Sequence, residues 1–171
     1  MPISGDMPIS PRAVPGWRML ERRTSDGADM AVLLIAEDDE DIAVVLVRVF
    51  KRTGMTVLRA SDGRAAFEAI LEHRPDLVLT DLGMPVMDGW ELIDAIRSHP
   101  DDDVRLIPVA VLSGHLRPGD PRPGAAQVCA IMLKPCPNDR LLATMDELVG
   151  IGPHDHDAAD NRCPADMPVS V

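Results

Sequence analysis

Between residues 31 and 150, short apolar runs alternate with stretches where apolar residues recur every three or four positions. The runs predict buried strands and the longer period predicts amphipathic helices. Residues 31–36 are all apolar and predict a first strand, which ends in the acidic run Glu37-Asp38-Asp39-Glu40-Asp41. A helix follows with Ile42, Val45, Leu46 and Val49 on one face, and Gly54 is its candidate C-cap. Residues 55–60 predict a second strand. Ser61 or Asp62 then caps a helix carrying Ala66, Phe67, Ala69 and Ile70, which Pro75 stops before a third strand at 76–80. Asp88 and Glu91 have capping-box spacing for a helix from Gly89 that buries Trp90, Ile93 and Ile96 or their neighbours. Asp101-Asp102-Asp103 reads as a solvated loop. A fourth strand is expected at 106–112, with Pro108 tolerated near its start, and a fifth at 127–133. The last helix begins near Asn138 as N-cap and shows Leu141, Leu142, Met145, Leu148 and Val149 on one face.

Strands alternating with helices argue for a parallel α/β sheet with right-handed crossovers. One crossover breaks the pattern. Residues 114–126 contain Pro118, Gly119, Pro121, Pro123 and Gly124. An interior proline costs a helix about 3 kcal/mol, so a loop or at most one helical turn is expected there. Residues 1–29 are rich in Pro, Gly, Ser and charge without a period and read as a disordered extension, and residues 151–171, with Asp, Pro and His, read as a disordered acidic tail, around a domain at 30–150. Met30 precedes the first strand and is a candidate translation start.

Composition narrows the function. The chain has 171 residues, 46% of them hydrophobic, and a formal net charge of −11. That charge argues against nucleic acid or an anionic membrane as the main partner. Three cysteines without framework spacing fit a reduced, cytoplasmic protein.

The chemistry gathers at strand ends. The first strand ends in Glu37-Asp38, the third in Asp81, the fourth in Ser113 and the fifth in Lys134-Pro135. In a sheet ordered 2-1-3-4-5 these ends meet at one edge, where open α/β sheets place their ligands. Three converging carboxylates repel one another unless a divalent cation is bound, and hard oxygen ligands suit Mg²⁺. Lys134 adds a point charge for an anion and Ser113 a hydroxyl donor. The set suits phosphoryl transfer to Asp81.

With Glu37-Asp38, Thr80-Asp81-Leu82-Gly83-Met84-Pro85, Met87-Asp88-Gly89, Ser113 and Lys134-Pro135 in order, residues 33–150 resemble the receiver domain of two-component response regulators. The resemblance implies a flavodoxin-like, doubly wound five-stranded sheet. It implies Mg²⁺ held by Glu37, Asp38, Asp81 and the Gly83 carbonyl, and phosphorylation of Asp81 from a phosphohistidine on a sensor histidine kinase or histidine phosphotransfer protein. It further implies that Lys134 contacts the phosphoryl group and that the Lys134-Pro135 bond is cis. Two positions depart from the family. Ile131 stands where receivers carry Tyr or Phe, and the helix between strands four and five is eroded by prolines; both lie on the usual output face.

Other candidates carry plainer readings. His115, two residues past Ser113, is near enough to the site to influence acyl-phosphate hydrolysis, but the favoured reading is an exposed loop histidine. His154, Asp155, His156, Asp157 and Cys163 read as a solvated tail rather than a metal tract. Met84 and Met87 read as loop packing. The expected function is a stand-alone phosphorylation switch or phosphate relay, not an enzyme, with an unidentified downstream protein. The alternatives are an aspartyl-nucleophile phosphatase or phosphotransferase, or an interaction module without phosphorylation. The first alternative usually needs a second carboxylate two residues after the nucleophile, where this chain has Gly83.

Overall fold

A computed structural model describes residues 30–114, 116–117 and 120–155. Five parallel strands, β1 (Val32–Ala36), β2 (Thr56–Ala60), β3 (Leu77–Thr80), β4 (Val109–Ser113) and β5 (Ala130–Leu133), form one sheet in the order β2-β1-β3-β4-β5. The crossovers carry α1 (Glu40–Lys51), α2 (Gly63–His73), α3 (Gly89–Arg97), the short α4 (Asp102–Arg105) and the single turn α5 (Arg122–Ala125); α6 (Asn138–Ile151) closes the fold. The doubly wound order is the expected one. The crossover between β4 and β5 keeps one helical turn, as its prolines require.

Side chains alternate across a strand, so neighbouring residues feed two cores. Leu33, Ile35, Leu77, Leu79 and Leu112 pack with Leu46, Phe50, Leu141, Met145 and Leu148 from α1 and α6. Leu34, Val78, Val109 and Val111 pack with Ala66, Ile70, Leu92, Ile93 and Ile96 from α2 and α3. Burial on both faces explains why these strands are unbroken apolar runs.

Several boundaries differ from the sequence reading, each for a local reason. Asp101-Asp102-Asp103 is not a loop. Asp101 caps α4 by accepting from the Asp103 amide at 3.0 Å, and Val104 is buried beneath. Strand β4 therefore starts at Val109, after Pro108. Gln127 takes a left-handed φ of 54°, and β5 begins only at Ala130. Helix α1 ends at Lys51, three residues before Gly54, which adopts φ 88° in the turn to β2. Its fully buried side is Ala43, Leu46 and Phe50, while Val45 is exposed. Asn138 is the first residue of α6, not its cap; the cap position is Pro137, which has no side-chain bond to offer. Trp90 is only partly buried. Helix α6 runs to Ile151, and a short segment follows it to Asp155. There the His154 amide donates to the Leu106 carbonyl at 3.2 Å, and its ring approaches Cys129.

One side chain ties the amino-terminal ends of the strands together. Arg97, closing α3, donates through Nη1 to the Arg105 and Ile107 carbonyls, each at 2.8 Å. Its Nε and Nη2 reach the Gln127 carbonyl at 3.2 and 3.0 Å. The guanidinium thereby fixes the lead-ins to both β4 and β5. Arg97→Met keeps the aliphatic stem but removes these charged donors, so urea unfolding should show a loss of about 2–4 kcal/mol.

Candidate functional site

Parallel pairing sets the carboxyl ends of β1, β3, β4 and β5 along one edge. The Glu37 amide donates to Ala60 in β2 at 3.1 Å, the Asp81 amide to Ala36 at 2.9 Å, and the Lys134 amide to Ser113 at 3.0 Å. The residues just past β1, β3 and β5 are thus held by backbone bonds to adjoining strands. From these positions the oxygens of Glu37, Asp38 and Asp81 lie within 4.8 Å of one another. Glu37 is 2% and Asp81 9% exposed, whereas Asp38 is open to solvent.

Lys134 closes the cluster. Its Nζ donates to Glu37 Oε2 and to Asp81 Oδ2, both at 2.7 Å. The other Asp81 oxygen, Oδ1, accepts from the Leu82 amide at 2.6 Å and more weakly from Gly83 at 3.4 Å. These contacts set the charge states. Burial pushes the Glu37 carboxyl above its ordinary range, and the bond from Lys134 offsets only part of that. Burial also acts to raise Asp81, but the Lys134 ammonium and the Leu82 amide outweigh it and hold the carboxyl below the usual value. Burial acts to lower Lys134, yet its bonds to Asp81 and Glu37 keep it raised and charged.

The loop after Asp81 is stitched in place. Thr80 Oγ1 donates to the Asp81 carbonyl at 2.7 Å, and the Gly89 amide donates to Leu82 at 3.0 Å. A Cβ at Gly89 would sit 2.2 Å from the Asp81 carbonyl oxygen, so this helix start approaches Asp81 only as glycine. Asp88 and Glu91 form the expected capping box, at 2.9 Å in both directions. Val86, at the tip, is 79% exposed and left-handed at φ 68°.

Glu37, Asp38, Asp81 and Lys134 come together as the sequence suggested. Ser113 is fully buried at the end of β4, beside Lys134. Gly83 lies exposed on the loop, and Pro135 follows a cis bond from Lys134. Ile131 on β5 is partly buried and packs against the core cluster on the α3 side of the sheet. His115 lies outside the described residues, as do His156, Asp157 and Cys163. Sequence reasoning missed the double bridge from Lys134 to Glu37 and Asp81. It also missed Gly63, whose amide donates to the Met87 carbonyl at 3.0 Å; a glycine in the first helical position after a capping Asp was the available signal.

Receiver domains bind Mg²⁺ at an acidic pocket. The donor set here, three carboxylates of which one faces solvent, fits a hard, partly hydrated divalent cation.

Residues 33–146 match the family model of the response regulator receiver domain. The transcriptional regulatory protein PrrA of Mycobacterium tuberculosis is 37% identical over 81 residues, covering 47% of this chain and 33% of PrrA. The chain therefore spans about a third of that relative's length. The polar-differentiation response regulator DivK of Brucella anthropi is 29% identical over 121 residues, covering 69% of this chain and 95% of DivK. The chemotaxis response regulator CheY4 of Vibrio cholerae superposes with a TM-score of 0.64 at 27% identity, over 70% of this chain and 98% of that one. No helix among the described residues is long and apolar enough to cross a membrane. With the family match spanning most of the chain and its flavodoxin-like sheet carrying the acidic cluster, this protein belongs to the response regulator receiver domain family.

Proposed function

We propose that Asp81 accepts a phosphoryl group from a phosphohistidine protein, a sensor histidine kinase or a histidine phosphotransfer protein. The domain then acts as a phosphorylation switch or a phosphate relay. The observation that carries this reading is the Lys134 ammonium, bridging Asp81 and Glu37 at 2.7 Å beside Asp38.

An Asp81 carboxylate oxygen forms the new P–O bond as the P–N bond to imidazole breaks, and the imidazole leaves with the bonding pair. The depressed pKa of Asp81 keeps the nucleophile ionised. Glu37, Asp38, Asp81 and the Gly83 carbonyl would hold Mg²⁺, which supplies charge neutralisation for the incoming phosphate. Lys134 exchanges a carboxylate for a phosphoryl oxygen, and the Ser113 hydroxyl donates to another. Each contact strengthens as charge builds on the transferred group. Residues 1–29 and 151–171 should be dispensable for this chemistry, because their sequence offers no apolar face to dock.

Acetyl phosphate with Mg²⁺ should add one phosphoryl group to the full chain, read by intact mass. Asp81→Asn should take none, and a chelator should abolish labelling of the wild type. Labelling of Asp81→Asn at the wild-type level contradicts the assignment.

Glu37 tests the metal role separately. Its raised pKa makes the ionised carboxylate a cost to the fold at neutral pH, relieved as pH falls through that raised value. In metal-free buffer at pH 7, Glu37→Gln should therefore be more stable than wild type. That advantage should shrink as the pH drops toward the ordinary carboxylate range, while Mg²⁺ affinity falls at neutral pH. Thermal melts at several pH values, with and without Mg²⁺, measure both effects.

A further inference from the structure

The loop that carries Gly83 is braced from outside the site. Its two ends are held by two glycines from different elements. Gly89 bonds Leu82 and lies against Asp81, which fixes the inner side. Gly63, the first residue of α2, belongs to neither the loop nor a carboxylate-bearing strand end, yet its amide donates to the Met87 carbonyl at 3.0 Å. A Cβ built on Gly63 would meet the Met87 carbonyl oxygen at 2.5 Å and its Cγ at 2.8 Å. The backbone at Gly63 is not left-handed, so glycine is required there for closeness rather than for conformation. The helix start itself is well formed, because Asp62 accepts from the Ala65 amide at 2.9 Å.

We propose that the start of α2 is a backstop for the phosphoacceptor loop, with Gly63 as a positioning residue that sets where the Gly83 carbonyl and the amides of Leu82 and Gly83 stand relative to Asp81. This rests on the reading of Glu37, Asp38, Asp81 and the Gly83 carbonyl as the Mg²⁺ ligands. The path is short and made of backbone. Met87 donates to the Pro85 carbonyl at 2.7 Å, and Gly89 donates to Leu82 at 3.0 Å. Met84, between them, is 8% exposed and seated in the core. With both ends stitched, a push at Met87 cannot be absorbed by fraying and moves the loop. Anything that shifts α2 against the sheet then changes metal binding through Met87.

The test is calorimetric titration of the full-length protein with Mg²⁺, well below the melting temperature. Gly63→Ala places a methyl against Met87 in a backbone conformation that alanine tolerates and a helix favours. It should weaken Mg²⁺ binding by about tenfold, the lower end of losses for residues that support metal ligands. Met87→Ala, which removes the Cγ packed on Gly63 without crowding, should weaken it less and serves if Gly63→Ala does not fold. Gly150→Ala, with no atom within 4 Å of the added methyl, should bind as wild type. A merely structural role for Gly63 lowers the melting temperature and leaves the affinity of the folded protein unchanged. Wild-type affinity in a folded Gly63→Ala, or in Met87→Ala where Gly63→Ala does not fold, overturns the backstop. Failure of the wild type to bind Mg²⁺ instead overturns the site reading beneath it.

Discussion

One ammonium group decides whether the carboxyl edge of this sheet is viable. Glu37 and Asp81 are nearly buried and share their corner with Asp38. Unit charges 4 Å apart repel by about 4 kcal/mol at the effective dielectric of a protein surface. Lys134 answers two of the three carboxylates at once, at 2.7 Å each. It does so from beyond β5, so the pairing also ties β5 to β1 and β3 across the sheet. The cluster nevertheless keeps an excess of negative charge, which would suit it to a cation rather than leave it a closed ion pair.

The sheet order makes this geometry cheap. In the order β2-β1-β3-β4-β5 the chain reverses its direction of winding at β1, and Glu37 and Asp81 emerge on adjacent strands. Little flexible structure is needed to bring them together. Precision comes instead from close backbone approaches, at Gly89 against Asp81 and at Gly63 against Met87. The same economy leaves the β4–β5 crossover free to shrink to one turn, since Lys134 reaches the site from the strand end.

The central strands β1, β3 and β4 were legible because their two-sided burial writes near-continuous apolar runs, and the helices because they write a clear 3.6-residue period. Each charged group of the site could be read from its place at a strand end. What escaped were features set by backbone geometry. The acidic run at Asp101–Asp103 resembled a loop because caps and loops use the same residues, and only the burial of Val104 distinguishes them. Gly54 looked like a helix cap because a glycine after an apolar helical face commonly is one, but its positive φ serves the turn to β2. Gln127 concealed a left-handed turn because nothing about glutamine advertises that conformation; the Arg97 bonds to its carbonyl hold it. The bridge from Lys134 to Glu37 spans 97 residues of sequence, and no local pattern encodes it.

If Lys134 and a divalent cation share the same carboxylate oxygens, they must compete. The most direct measurement is the Mg²⁺-dependent shift in melting temperature of wild type and Lys134→Met, taken side by side. Ligand stabilisation grows as RT ln(1 + [L]/Kd). Removing the ammonium should lower stability in metal-free buffer and raise Mg²⁺ affinity, so Mg²⁺ should lift the melting temperature of Lys134→Met further than that of the wild type. An equal or smaller lift in the variant would contradict the account.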